Sequence, residues 1–209
     1  IETDGRHALV KFTDNIKEDS NRRDFTINAI YVNAKGQIFD FHNGVNDLKE
    51  KKIKFIGDAR LRIQEDYLRI FRFFRFQCDY YNEQIKENDL SIIKENIKGL
   101  KNVSKERLWI ELKNIIQHEN SVQSLQNMQD IGIFSEIFEG IKITQNYKKL
   151  NDILINLSLS STLSCKLSLL LNNDQKNIEN FIKENPISNR EKEELLDLSS
   201  INKNVVSYM

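Results

Sequence analysis

Two short segments concentrate the side chains that can do chemistry. Asp66 is followed at three-residue steps by Arg69, Arg72 and Arg75. On a helix these fall along one winding row, while Tyr67, Ile70, Phe71, Phe73 and Phe74 share a broad apolar arc that must pack inward. A carboxylate beside a fixed guanidinium sets acceptors and donors side by side, the pattern that reads the hydrogen-bonding edge of a base. The remaining guanidinium forks suit phosphate oxygens, which they bind in pairs. Upstream, Arg22, Arg23 and Asp24 precede an alternating run, Phe25, Ile27, Ala29 and Tyr31. The alternation predicts a strand with Thr26, Asn28 and Ile30 on its other face. Polar groups bunched at one strand end can present Arg23 and Asn28 to a triphosphate or a ribose.

Both segments also have plain structural readings. Asp66 could be a helix N-cap or an i,i+3 partner of Arg69, and an exposed pair of that kind contributes only about 0.3 to 0.5 kcal/mol. The arginine row could be a solvated face over a packed one, and Arg22 to Asp24 a charged strand edge.

The elements that must hold these groups follow from periodicity. A turn at residues 33–36 returns the chain as a second short strand at 37–41. Ser104 is placed to cap a helix whose stripe is Leu108, Trp109, Leu112, Ile115 and Ile116, and residues 60–118 are expected to pack that stripe against Tyr67, Ile70, Phe71 and Phe74. Beyond residue 118 the pattern is of short helices with polar connectors, at 122–128, 131–138 and 147–157, with a capping box at Ser188 and Glu191 before a last helix. Residues 153–171 are the most apolar run, but serines, Asn156, Thr162 and Lys166 interrupt it, which predicts a buried helix and not a membrane span.

Composition narrows the class without deciding it. The 209 residues are 39% hydrophobic, enough for a core in one or two domains. Formal net charge is zero, so any attraction for nucleic acid must be local. Residues 51–76 supply it, with eight basic side chains against three acidic ones. Cys78 and Cys165 are too few and too far apart for a zinc site or a disulfide framework, and a reducing cytoplasm is the expected setting. His7, His42 and His118 show no metal-binding spacing, and no signal peptide is visible.

Taken in order, the segments resemble a known family. They are Arg22-Arg23-Asp24-Phe25-Thr26-Ile27-Asn28-Ala29; Asp40-Phe41-His42-Asn43-Gly44-Val45-Asn46-Asp47-Leu48 with Phe55-Ile56-Gly57-Asp58; Glu65-Asp66-Tyr67-Leu68-Arg69; and Val103-Ser104-Lys105-Glu106-Arg107 with Glu111-Leu112. They are similar to motifs B, C, D and E of class II tRNA nucleotidyltransferases, the CCA-adding enzymes and bacterial poly(A) polymerases of the polymerase beta superfamily. The resemblance runs from Ile1 to about residue 140.

The resemblance implies a mainly α fold with a small N-terminal β remnant. It would comprise a partial polymerase-beta-like nucleotidyltransferase head at 1–47, a helical neck with the nucleotide-reading helix at 48–118, and an RNA-binding body and tail at 119–209. Asp66 and Arg69 would act as a protein template for incoming CTP or ATP. Arg72 and Arg75 would support that pair or meet the nucleotide, and Arg23, with Asp24 and Asn28, would meet sugar and triphosphate. Asp40 to Asp47 would join head to neck, and the helix after Ser104 would buttress the template helix. The partner would be the tRNA 3′ end.

The family holds two magnesium ions on an Asp-x-Asp pair after a Gly-Gly turn, together with a third carboxylate, all upstream of motif B. This chain shows no such segment. Ile1 is not an initiator methionine, and residues 1–8 resemble the flexible loop just before motif B, so the chain is expected to enter the family in mid-head. No catalytic residue or metal ligand is then expected within it, and nucleotide addition would require a complementary N-terminal segment that supplies the magnesium. The alternatives are a poly(A) polymerase fragment and a non-catalytic remnant that binds tRNA or nucleotide.

Overall fold

The computed structural model describes residues 15–80, 85 and 87–206, and the expected loop at 1–8 lies outside them. Contacts divide the chain into two units, Ile1–Asp58 and Ala59–Met209.

In the first unit, α1 (Ile16–Asn21) starts on the Asn15 side chain, which accepts from the N–H groups of Lys17 and Glu18. The continuous strand expected from Phe25 to Tyr31 does not form. Phe25 instead makes an isolated antiparallel bridge to Phe55, with ring centroids 4.8 Å apart. Residues Thr26–Ala29 then wind into a 3-10 turn. Local hydrogen bonds explain the difference: Thr26 Oγ1 donates to Asp47 at 2.7 Å, and the Asn28 amide folds back to Asp24 at 2.9 Å. Short polar side chains that bond nearby groups compete with a strand ladder.

Strand β1 (Ile30–Val32) pairs antiparallel with β2 (Ile38–Asp40), with Tyr31 opposite Phe39. The turn between them is closed by Gly36 N–H to the Asn33 carbonyl at 2.9 Å, with Gly36 at φ +78°. After β2, the Asp40 carboxylate accepts from the N–H groups of Gly44 and Val45 at 2.9 and 2.8 Å and so starts α2 (Gly44–Lys49). A Cβ at Gly44 would stand 2.2 Å from the Thr26 carbonyl oxygen, so the approach of α2 to the 3-10 turn requires glycine there.

The second unit is helical among its described residues. Helices α3 (Ala59–Glu65), α4 (Arg69–Asp79), α5 (Glu87–Asn96) and α6 (Lys105–Gln117) come first, with a 3-10 segment, Ile97–Asn102, before α6. Then follow α7 (Ser121–Asp130), α8 (Ile133–Ile137), α9 (Gln145–Asn156), α10 (Leu163–Leu170), α11 (Gln175–Glu184) and α12 (Asn189–Val206). With the hairpin of the first unit, the fold is mainly α with a small N-terminal sheet.

As the periodicity predicts, α4 lays Ile70, Phe71, Phe73 and Phe74 into the core, and α6, capped by Ser104, contributes Leu108, Trp109, Leu112, Ile115 and Ile116. Trp109 meets Phe138 and Phe181 at 6.3 and 5.7 Å between ring centroids, and Phe71 reaches Phe138 at 6.0 Å. Ser188 and Glu191 form the expected capping box: the Ser188 N–H and hydroxyl donate to the Glu191 carboxylate at 2.9 and 2.8 Å, and Glu191 N–H returns to Ser188 Oγ.

The run at 153–171 is not one buried helix. Helix α9 ends after Asn156, Ser158 takes a left-handed φ of 52°, and α10 restarts on the Thr162 side chain. Leu157 and Leu159 stand exposed in the break. No helix among the described residues is long and apolar enough to cross a membrane.

Candidate functional site

In the second unit the candidate residues gather where α3 passes into α4. Asp66 lies in the junction, not within the helix as the row of spacings predicts. Its Oδ1 accepts the Leu68 N–H at 3.1 Å and its carbonyl accepts the Arg69 N–H at 3.1 Å, so it initiates α4 from the outside. Tyr67 leaves the junction to lie against Gly99, where a Cβ would stand 1.9 Å from its ring.

Beyond the backbone bond from the Arg69 N–H, the side chains of Asp66 and Arg69 do not bond to each other. The second carboxylate oxygen of Asp66 accepts from Arg107 Nη2 at 2.8 Å. Arg69 donates instead to Glu65 at 2.7 Å and to the Arg62 carbonyl at 2.5 Å. The Asp66 side chain is 34% exposed, and each carboxylate oxygen has two acceptor positions, so Asp66 keeps acceptor capacity toward solvent. Arg69 likewise uses both Nη1 hydrogens in these bonds and carries three further N–H donors, on Nε and Nη2.

Arg72 and Arg75 converge on one carboxylate. Glu111 of α6 is 8% exposed and lies 3.6 Å from Arg72 Nη1 and 2.8 Å from Arg75 Nε. Arg75 also stacks over the Phe76 ring at 4.6 Å. The arginine row is therefore fastened to α6. Sequence reasoning had no partner for it, although one signal was present. Glu111 sits between Leu108 and Ile115 on the apolar stripe of α6, where a carboxylate must find a cation.

In the first unit the structure brings Arg23, Asp24 and Asn28 together around the 3-10 turn. Asp24 is 5% exposed, and its Oδ1 accepts from the Phe25 N–H at 3.1 Å and from the Asn28 amide. Arg23 donates through Nε and Nη2 to Asp19 at 3.2 and 3.0 Å and lies 5.9 Å from the Tyr31 ring centroid. Tyr31 donates to the same Asp19 oxygen at 2.5 Å, and Arg22 reaches the other oxygen at 2.6 Å. The Tyr31 hydroxyl, then Arg23 and Arg22, hold the Asp19 carboxyl down at about 2 against the opposing pull of burial. Asp19 organises this cluster; its spacing of three and four residues from Arg22 and Arg23 was a local signal that sequence reasoning missed, whereas Tyr31, twelve residues on, joins it only through the fold.

Among the described residues no three His, Cys, Asp or Glu side chains converge as a metal site.

Comparison with known proteins finds relatives of this chain in sequence and in fold. Residues 1–54 match the family described as Poly A polymerase head domain, and residues 84–144 the one described as probable RNA and SrmB-binding site of polymerase A. A relative from Danio rerio, "CCA tRNA nucleotidyltransferase 1, mitochondrial", is 34% identical over 194 residues, which cover 92% of this chain and 44% of the relative. The Bacillus stearothermophilus CCA-adding enzyme in complex with CTP shares the fold, with TM-score 0.75 at 21% identity over 92% of this chain and 48% of that one. The Thermotoga maritima CCA-adding enzyme complexed with tRNA also shares it, with TM-score 0.67 at 24% identity over 92% and 50% of the two chains. The chain thus spans about half, or less, of the length of each of these three proteins.

Proposed function

The chain belongs to the class II CCA-adding enzyme and poly(A) polymerase family, of which it carries head and RNA-binding segments, and we propose on that basis that it is the nucleotide-reading and tRNA-holding part of a tRNA nucleotidyltransferase. In this reading it takes CTP and ATP as substrates and serves the addition of C, A or both to the tRNA 3′ end. Residues 1–47 act as the remaining head, 48–118 as the neck and 119–209 as the RNA-binding body.

The observation that carries the reading is the fixed Asp66 carboxylate. Leu68 N–H holds one oxygen and Arg107 the other, so the group is oriented before a nucleotide arrives. Preorganised acceptors lose little on binding, which is what a protein template needs. Asp66 accepts from the exocyclic amino group that cytosine and adenine both carry, and Arg69 donates to a ring acceptor once it exchanges the Glu65 contact for the base. Guanine and uracil present a carbonyl where that amino group would be, so a carboxylate repels them. Arg72 and Arg75, locked on Glu111, hold the α4 surface in place. In the first unit, Arg23 meets the triphosphate and Asn28 the sugar.

Transfer of the nucleotidyl group also needs metal-holding carboxylates. In this proposal a complementary N-terminal segment supplies them. The test is extension of a tRNA transcript lacking CCA with CTP, ATP and magnesium, by the chain alone and by the chain joined to a family head segment bearing Gly-Gly and Asp-x-Asp. Extension only in the joined form supports the proposal. Extension by the chain alone, or a joined form that folds, binds the tRNA and adds nothing, overturns it.

A further inference from the structure

The end of α6, one face of α9 and the break before α10 line an open cavity of about 600 Å³, and Lys166 and Ser161 on its wall lie outside both family-matched segments. We propose that this cavity binds a terminal phosphate group, with Lys166 as its charged anchor and Ser161 as a hydroxyl donor.

Lys166 lines the cavity yet is only 5% exposed. Its ammonium partners among the described residues are the Gln117 and His118 carbonyls at 3.5 and 3.4 Å, longer than the roughly 2.7–3.2 Å of well-formed N–H···O bonds. No described carboxylate pairs with it, and burial lowers its pKa from the ordinary lysine value. The two carbonyls at the α6 C-terminus favour a cation there, but they do not neutralise it, and an ammonium has three donors to satisfy. Ser161 Oγ, on the same wall, is buried with no hydrogen-bond partner. A buried cation with no described carboxylate partner and an unused hydroxyl therefore belong to two residues lining one cavity.

The occupant follows from that chemistry. An anion supplies the missing charge, and a phosphate brings several strong acceptor oxygens for the ammonium and for the hydroxyls of Ser158, Ser160 and Ser161. A terminal group fits better than one within a strand, because a phosphate esterified on both sides would have to carry both neighbours into the cavity. Leu154, Ile155 and Leu159 form an apolar wall that suits an attached nucleoside. Glu119 at the exposed rim repels further negative charge, which favours a single phosphate over a polyphosphate. A free mononucleotide or the 5′ end of an RNA offers this group equally.

Calorimetric titration at constant ionic strength tests the site with inorganic phosphate, a mononucleotide, and one oligoribonucleotide with and without a 5′-phosphate. Saturable one-site binding of phosphate is expected, weakened about tenfold or more by Lys166→Met, since one charge-assisted contact is lost. Ser161→Leu, which fills the cavity and leaves the charge, should also weaken it, and decides the matter if Lys166→Met fails to fold. Tighter binding of the 5′-phosphorylated oligonucleotide identifies the RNA end as the source. Preference for the mononucleotide, with both oligonucleotides alike, identifies the free ligand. Absence of saturable phosphate binding, binding unchanged in both variants, or acetate binding as well as phosphate overturns the proposal.

Discussion

Arg107 donates to the outer carboxylate oxygen of Asp66 at 2.8 Å, tying the first turn of α6 to the junction from which α4 begins. The pair is open to solvent on both sides, with side-chain exposures of 52% and 34%. Contacts of this kind orient a group without contributing much to stability.

Asp66→Ala is therefore expected to cost about 0.5 to 2 kcal/mol in folding, from the lost acceptor at the start of α4. Its effect on nucleotide choice should be larger. With a catalytic head segment restored, preference for CTP and ATP over GTP and UTP should fall by about tenfold to 150-fold, the worth of one base-edge contact. Arg72→Ala should weaken all four nucleotides alike. Incorporation of each nucleotide by the two variants and the parent checks this, and an unchanged preference in the Asp66 variant would remove it from the template role.

Glu111→Ala leaves Arg72 and Arg75 beside each other without their shared carboxylate. Breaking a buried ion pair costs about 3 to 5 kcal/mol and an exposed one at most about 1. Because both arginines are more than a quarter exposed, an intermediate loss of about 2 kcal/mol is expected. Urea unfolding reads it directly, and the loss should shrink in Glu111→Gln.

Trp109→Ala should cost about 3 to 5 kcal/mol. Trp109 is 2% exposed and sits between Phe138 and Phe181. A loss below about 1 kcal/mol in denaturant unfolding would contradict that burial.

The Asp19 cluster predicts a pH signature. Its carboxyl is held at about 2, below the ordinary aspartate value of 3.8, so the stability it contributes is present above the ordinary value and is lost as pH falls toward 2. Replacing it, as in Asp19→Asn, should flatten the decline in stability between about pH 4 and 2 relative to the parent. Denaturant midpoints measured across that range decide it.

Gly44→Ala should destabilise the first unit by about 2 to 3 kcal/mol, since the added Cβ overlaps the Thr26 carbonyl and either α2 or the 3-10 turn must shift. Amide exchange at Thr26 and Asp47 locates the effect. Protection there equal to the parent would show that the contact yields without strain.

Much of the helical frame was legible because single residues carried it. The stripe of α6, the Ser104 cap and the Ser188–Glu191 box each depend on neighbours within one or two turns. The misses have the opposite character. The apolar alternation at Phe25, Ile27 and Ala29 suits a strand and a 3-10 turn alike, and Asp47, twenty-one residues away, settles it through Thr26. Arginines at three-residue steps extend the helical pattern back through Asp66, whereas the chain bends there so that Tyr67 can reach Gly99. Glu111 as the partner of Arg72 and Arg75, and the break at Ser158, likewise depend on contacts or backbone geometry that no short window contains, whereas Asp19 stands only four residues from Arg23 and was legible.

Glu191 serves two contacts of very different range. It closes the first turn of its own helix through Ser188, and it meets Lys113, seventy-eight residues earlier, at 3.4 Å. One carboxylate rotamer thereby links a local event to a distant one, so that nucleating α12 and docking it on α6 reinforce each other. The first turn of the C-terminal helix is then expected to be gained and lost together with its seat on α6.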